Sequence, residues 1–318
     1  MADANNEEQL LLTFRVLRLA IVAAALVLAV ALVVEVWRTG SIRGSISAYF
    51  YSPVRSIFVG SLMAIGVCLI AIQAKTVWEE TFLNLAGLFA FVVALVPIGP
   101  EVCGIVLPED PQTFDPREPL PPWLLDAFDR VASGTCRLDE FAGGPSDGLP
   151  AWIVTGIRNN IFSVMLVGAV ALIAILVRRK GSRTERPPQA VRAGRWAGGV
   201  YLVLLLIGAM LYATFDGIRS TSHYAAAGTM FGMFGVVVFI NGWRRSGVPD
   251  RFRNQYRTIL LLMGIVLPLG VITSVYWLEA AEIALFAWFW TAQTVQIWDP
   301  SRPRAQAVLP AIGSGSTA

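Results

Sequence analysis

Residues Gly40 to Gly60 read GSIRGSISAYFYSPVRSIFVG and join two apolar runs, Leu19–Val34 and Ser56–Ala74. Each run is free of charge over close to the length of about 20 residues that a spanning helix needs. The connection is of a different kind. It carries Arg43 and Arg55, with Arg38 just ahead, and no acid. Ser41, Ser45, Ser47, Tyr49, Tyr51 and Ser52 stand among them. A polar, basic turn between two membrane-length runs reads as a site held in an all-α membrane scaffold.

Composition gives the same class. The chain has 318 residues, 55% of them hydrophobic and 15% charged, with a mean hydropathy of +0.61. A soluble domain carries about 25% charged residues, so the deficit marks an integral membrane protein. A net charge of +3 is too small to argue for nucleic acid. One histidine and three cysteines offer no zinc-ligand spacing, and no metal or other cofactor is expected.

Six further windows follow the first two: Thr81–Pro100, Asn159–Val177, Trp196–Phe215, Ser220–Trp243, Thr258–Leu278, and a last one from about Glu279 to Trp298 that contains Glu282. The expectation is a polytopic bundle of about eight spans over a single multi-pass domain, 1–318. With the N-terminus in the cytoplasm, 17 of the 25 basic residues fall in inner segments, as the positive-inside rule requires. Both termini are then cytoplasmic, in a cell-membrane protein. Trp37, Trp78, Trp152, Trp196, Trp243, Trp277 and Trp298 fall at window ends, where amphipathic rings prefer the headgroup layer. A rival for the first window is a signal peptide cleaved after Ala29-Val30-Ala31; the apolar run continues past that point to Val34.

The long segment 101–157 carries ten acids and three arginines and lies outside by the charge count. It is rich in proline and glycine, with room for one short helix near Trp123–Val131. Cys103 and Cys136 both fall in it, and an oxidising exterior favours a bridge between them. The inner segment from Arg178 to Arg195 is a short basic linker suited to anionic headgroups. The tail 300–318 reads as disordered. No internal repeat of the inverted-repeat transporter kind is visible.

Polar residues gather at the outer ends of the windows. Arg43 and Arg55 offer planar forks for phosphate or carboxylate, with Ser47 and Tyr49 as neutral donors. His223, Glu279 and Glu282 fall at the same depth and close the candidate ligand site: a lipid headgroup, a small anion or a membrane partner. The plainer reading is that these arginines pair with nearby acids and hold the outer surface together. His223 with Asp216 is a weak catalytic candidate, since no nucleophile elbow surrounds any serine.

Four pieces carry a resemblance: Ser45-Ile46-Ser47-Ala48-Tyr49 through Phe58, NLAGLFA at Asn84–Ala90, His223-Tyr224-Ala225-Ala226, and the closing EIALFAWFWTAQTVQIWD. Together they resemble a family of bacterial multispan proteins of unknown function and, more distantly, the DRAM-like family of multispan proteins. That resemblance implies an Ile-Ser motif after the first span (Ile46, Ser47), a helix opening with histidine (His223) and a late helix with an outer glutamate (Glu279 or Glu282). It implies action around membrane lipids. DRAM-like members typically have six spans, two fewer than counted here. Ceramidase-like membrane hydrolases need several histidines, and this chain has one. Three readings follow: a binding protein at the outer face, a lipid-modifying hydrolase, or a transporter.

Overall fold

The computed structural model describes residues 2–72, 74, 76–98, 101–102, 105–106, 219–244 and 248–298, with most of 155–170 and scattered positions of 192–210. The described chain is helical apart from one two-residue antiparallel pair, β1 (Glu101–Val102) and β2 (Ile105–Val106). Six long helices build the bundle. They are α1 (Ala2–Thr39), α2 (Arg55–Ala71), α3 (Val77–Leu95), α4 (Arg219–Phe239), α5 (Asp250–Thr273) and α6 (Val275–Trp298). A 3-10 helix, Ile46–Tyr51, sits between α1 and α2, and a π turn, Ile240–Arg244, extends α4. Residues 155–156, 158–166 and 168–170 are helical, as are the described positions from 192 to 210. Cys103, Cys136, Asp216, the 300–318 tail and most of the 101–157 segment lie outside the described residues.

Among the described residues, three stretches have the length and apolarity to cross a membrane: Leu12–Thr39, Val77–Leu95 and His223–Arg244. A fourth, Arg55–Ala71, is apolar and shorter. Several boundaries differ from the charge-free windows, among them the starts of α1 and α5, and two have a local cause. The third window opens at Thr81, yet α3 begins at Val77. Thr76 caps it, its Oγ1 accepting the Glu79 N–H at 3.1 Å, and Glu79 and Glu80 suit the positive helix start. The seventh window runs to Leu278, yet α5 stops at Thr273. Ser274 breaks the helix in extended conformation, and the Tyr276 N–H turns to the Gly44 carbonyl at 2.9 Å. Tyr276, Trp277 and Leu278 therefore belong to α6.

Successive helices alternate in direction, so chain ends and loops sort to two poles. At one pole lie the end of α1, the 3-10 helix, the end of α3 and the starts of α4 and α6. At the other, Arg18 on α1 bonds Gln293 on α6, so the N-terminal half of α1 and the C-terminal half of α6 share a pole. Two apolar clusters fill the interior. One gathers Ile21, Leu69, Val238, Tyr256, Phe289 and Trp290. The other gathers Leu28, Tyr49, Phe50, Phe58, Ala94 and Tyr276 around the 3-10 helix.

Two glycines set a close contact between α2 and α3. A Cβ on Gly87 would lie 2.7 Å from the Gly66 carbonyl oxygen and 2.8 Å from Ile70 Cγ1. A Cβ on Gly66 would meet Phe91 at 2.8 Å and the Gly87 carbonyl at 2.9 Å. Small residues of this kind let membrane helices approach backbone to backbone. Gly87→Ala is expected to force α2 and α3 apart and cost about 1–3 kcal/mol, the usual range for overpacking. A thermal melt in detergent checks it: a melting point equal to the unsubstituted protein rules out the close crossing.

Candidate functional site

The connection at 40–60 is built from its ends inward. Gly40 stops α1 with a left-handed φ of +67°, and its N–H returns to the Val36 carbonyl at 2.8 Å. This is the conformation glycine adopts without a Cβ penalty. Five residues on, Ser45 caps the 3-10 helix, its hydroxyl accepting the Ser47 N–H at 3.0 Å. The first amides of that helix point outward without helical partners, a ready nest for an anion.

The anion is internal. Glu279, in the second turn of α6, places Oε2 in the nest. It accepts from Ser45 Oγ at 2.8 Å, the Ile46 N–H at 2.5 Å and the Ser47 N–H at 3.4 Å. Its Oε1 lies 3.2 Å from Ser47 Oγ. Ser47 Oγ is also 2.8 Å from His223 Nε2, and His223 Nδ1 faces the Val96 carbonyl at 2.5 Å. Ser47 is 4% exposed and His223 0%. One buried hydroxyl thus joins the 3-10 helix, α4, α6 and the end of α3.

Proton counting limits what this cluster can do. A carbonyl only accepts, so His223 Nδ1 carries a hydrogen. If the imidazole is neutral, Nε2 accepts the single Ser47 hydroxyl hydrogen, and the Ser47–Glu279 contact is a hydrogen bond only when Glu279 is protonated. If Nε2 carries a hydrogen as well, the imidazole is cationic, and Ser47 accepts from it and donates to the Glu279 carboxylate. The two arrangements have the same net charge and differ by two protons shifted through Ser47. The same Ser–His spacing is that of an activated nucleophile with its base. The amides beside Ser47 are occupied by Glu279, so the usual place for oxyanion donors is already filled.

The remaining predicted site residues divide. Tyr49 is 1% exposed, its hydroxyl accepts the Arg43 N–H at 3.5 Å, and burial pushes its phenol above the ordinary range. Its ring is 6.4 Å from that of Tyr276. Arg43 and Arg55 are half-buried. The Arg43 guanidinium lies 5.6 Å from the Tyr49 ring centre, and that of Arg55 lies 4.2 Å from the Phe50 ring centre. The structure therefore brings Ser47, His223 and Glu279 into one network and sets both arginines on neighbouring rings of the 3-10 helix. Glu282, one turn beyond Glu279, is buried and outside that network. Glu35, at the same pole, is held by a two-pronged pair with Arg38 at 3.0–3.1 Å.

A second polar network at the opposite pole was not expected from sequence. Arg18 Nη1 donates to Gln293 Oε1 at 3.0 Å, Gln293 Nε2 to Asn241 Oδ1 at 3.0 Å, and Asn241 Nδ2 to Glu79 Oε1 at 2.7 Å. Asn241 is in the π turn, where the wider backbone aims its side chain inward; π turns frequently mark functional positions. Tyr256 donates to Gln296 Oε1 at 2.5 Å nearby. The signal in the sequence was the polar pair Gln293 and Gln296, three apart in an otherwise apolar helix. Among the described residues, no group of histidine, cysteine and acids is placed to hold a metal. Comparison of the chain with family models, curated proteins and solved structures gives no match in any of the three.

Proposed function

We propose that this chain is an integral membrane protein of about eight spans, with both termini in the cytoplasm and the acidic 101–157 segment outside. It binds a phosphate-bearing ligand, foremost a lipid headgroup, at the outer pole. The observation that carries the reading is the pair of half-buried guanidiniums resting on Tyr49 and Phe50, adjacent rings of one short helix. Stacking on an aromatic face holds each arginine side chain against the 3-10 helix, and a planar guanidinium held there suits the geometry of an oxyanion. The Glu279 nest fixes that helix. The shared pole of the two chain halves supports the even span count, and exposed Trp37, Trp277, Trp243 and Trp298 suit headgroup-level belts. Ser47, His223 and Glu279 converge as the latch of the site.

Lipid carried through gentle purification is expected to fall in Arg43→Gln and Arg55→Gln, read by native mass spectrometry. Arg55→Lys is expected to lose it as well, because the charge stays and the two-pronged geometry goes. Added inorganic phosphate that raises the melting point without any bound lipid would make a free anion the ligand. Unchanged lipid in all three variants, with lowered melting points, would overturn headgroup binding.

The 2.8 Å Ser47–His223 contact favours a second reading, a hydrolase. Burial of both residues and the filled amide nest weigh against it. A fluorophosphonate probe separates the two: covalent capture at Ser47, lost in His223→Ala, would establish the nucleophile, and no capture leaves the latch.

A further inference from the structure

The inward face of α6 carries more polar atoms than its neighbours satisfy. Glu279, Glu282, Trp290, Gln293 and Gln296 fall within about 120° of one another around the helix at its ordinary spacing. Glu279 and Gln293 belong to the two networks described above. Between and beyond them, three buried polar atoms have no hydrogen-bond partner among the described residues: Glu282 Oε2, Trp290 Nε1 and Gln296 Nε2. Glu282 is 5% exposed, and it lies seven residues into the helix, about 10 Å at 1.5 Å per residue.

Such groups are costly in a bundle crossing a membrane. An isolated ionised carboxylate pays a penalty far beyond that of a neutral polar group, and the ordinary escape is to hold a proton. Ionisable side chains inside a membrane face the bundle interior and mark ion and proton paths. The acids elsewhere in the two networks have partners: Glu35 has Arg38, Glu79 has Asn241, and Glu279 has the amide nest. Glu282 has none.

We propose that Glu282 is a proton-exchanging carboxyl inside the bundle, on a polar path along α6 that runs from the Glu279 nest to Gln293 and Gln296. Its ligand is the proton. Trp290 Nε1 and Gln296 Nε2, donors with no partner among the described residues, extend that polar face towards the opposite pole. This assignment is independent of headgroup binding at Arg43 and Arg55.

The test uses the full chain in detergent or liposomes and the apolar reagent dicyclohexylcarbodiimide. A protonated carboxyl in an apolar setting passes its proton to one carbodiimide nitrogen while its oxygen bonds the central carbon. The adduct then rearranges to a stable N-acylurea, so the protein gains one reagent molecule. Peptide mapping of the unsubstituted protein is expected to place the adduct on Glu282 in preference to Glu279. In Glu282→Gln, labelling of that peptide is expected to fall to background. Because mapping reads the site directly, the result stands even if the variant folds poorly. Labelling confined to other carboxyls would overturn the proposal. So would protection of Glu282 by sodium, compared with choline at the same pH, which would make a metal cation the ligand.

Discussion

Glu279→Ala is expected to destabilise the protein by roughly 3–5 kcal/mol, from the cost of buried donors left without an acceptor. The truncation removes little apolar surface. Its effect comes from what remains: the Ser45 hydroxyl and the Ile46 N–H, both bonded to Oε2, with the weaker Ser47 N–H beside them. Each orphaned buried donor costs about 1–3 kcal/mol, and the costs within one network do not add fully. Ser45, Ile46 and Ser47 are all buried, so water does not readily replace the carboxylate. Glu279→Gln retains the shape with one acceptor oxygen, and is expected to lose less. Ser45→Ala removes one donor and its bond together, at about 1 kcal/mol. Combined with Glu279→Ala it adds little, because the second substitution deletes a group that the first has already stranded. Unfolding of the four variants and the parent in the same micelle is the measurement. A Glu279→Ala midpoint equal to the parent's, or strictly additive losses with Ser45→Ala, would show that the nest does not hold the pole.

The helices were legible because each apolar run was long and bounded by charge. The same rule misplaced several of their ends, two of them for reasons the structure makes plain. It treats a charged residue as the limit of a helix, whereas Glu79 lies inside α3 with its carboxylate on Asn241. It saw no boundary at Ser274, where an extended residue and the Gly44 carbonyl break the chain between two apolar segments. The Gly40–Gly60 stretch stood out as a polar connection from its density of serines, tyrosines and arginines. What those groups touch was not legible. Ser45 and Glu279 are 234 residues apart, and local pattern carries no information about such a pairing. The arginines drew attention as free anion-binding forks, yet each packs first on a ring of the 3-10 helix a few residues away. His223 was noticed as the lone histidine beside Asp216. Its recorded partners are Ser47 and a backbone carbonyl on another helix. The opposite pole was missed outright because asparagine and glutamine do not interrupt an apolar window as an acid or arginine does.

Asn241→Leu keeps the branched four-atom side chain and is expected to cost roughly 2–4 kcal/mol, set mainly by unmade buried hydrogen bonds and in part by the bulk of the two methyls. Asn241 is fully buried and donates to Glu79 while accepting from Gln293. It is the one amide that links Arg18 and Gln293 on α1 and α6 to Glu79 on α3. A leucine there takes the donor from Glu79 Oε1 and the acceptor from Gln293 Nε2 in a single step. It also removes the bond to the Val237 carbonyl, and with it one restraint on the π turn. Asn241→Asp should be at least as severe, because it sets a second carboxylate against Glu79 where an N–H stood. The discriminating variant is the double substitution Asn241→Leu with Glu79→Leu. Replacing both members of a buried pair by apolar groups is far less costly than stranding one, so the double variant is expected to recover part of the loss, the Gln293 amide remaining unmet. Unfolding midpoints for the two single variants and the double decide it. If the double is no more stable than Asn241→Leu alone, Asn241 acts through packing of the π turn, and the polar chain from Arg18 to Glu79 does not couple the four helices.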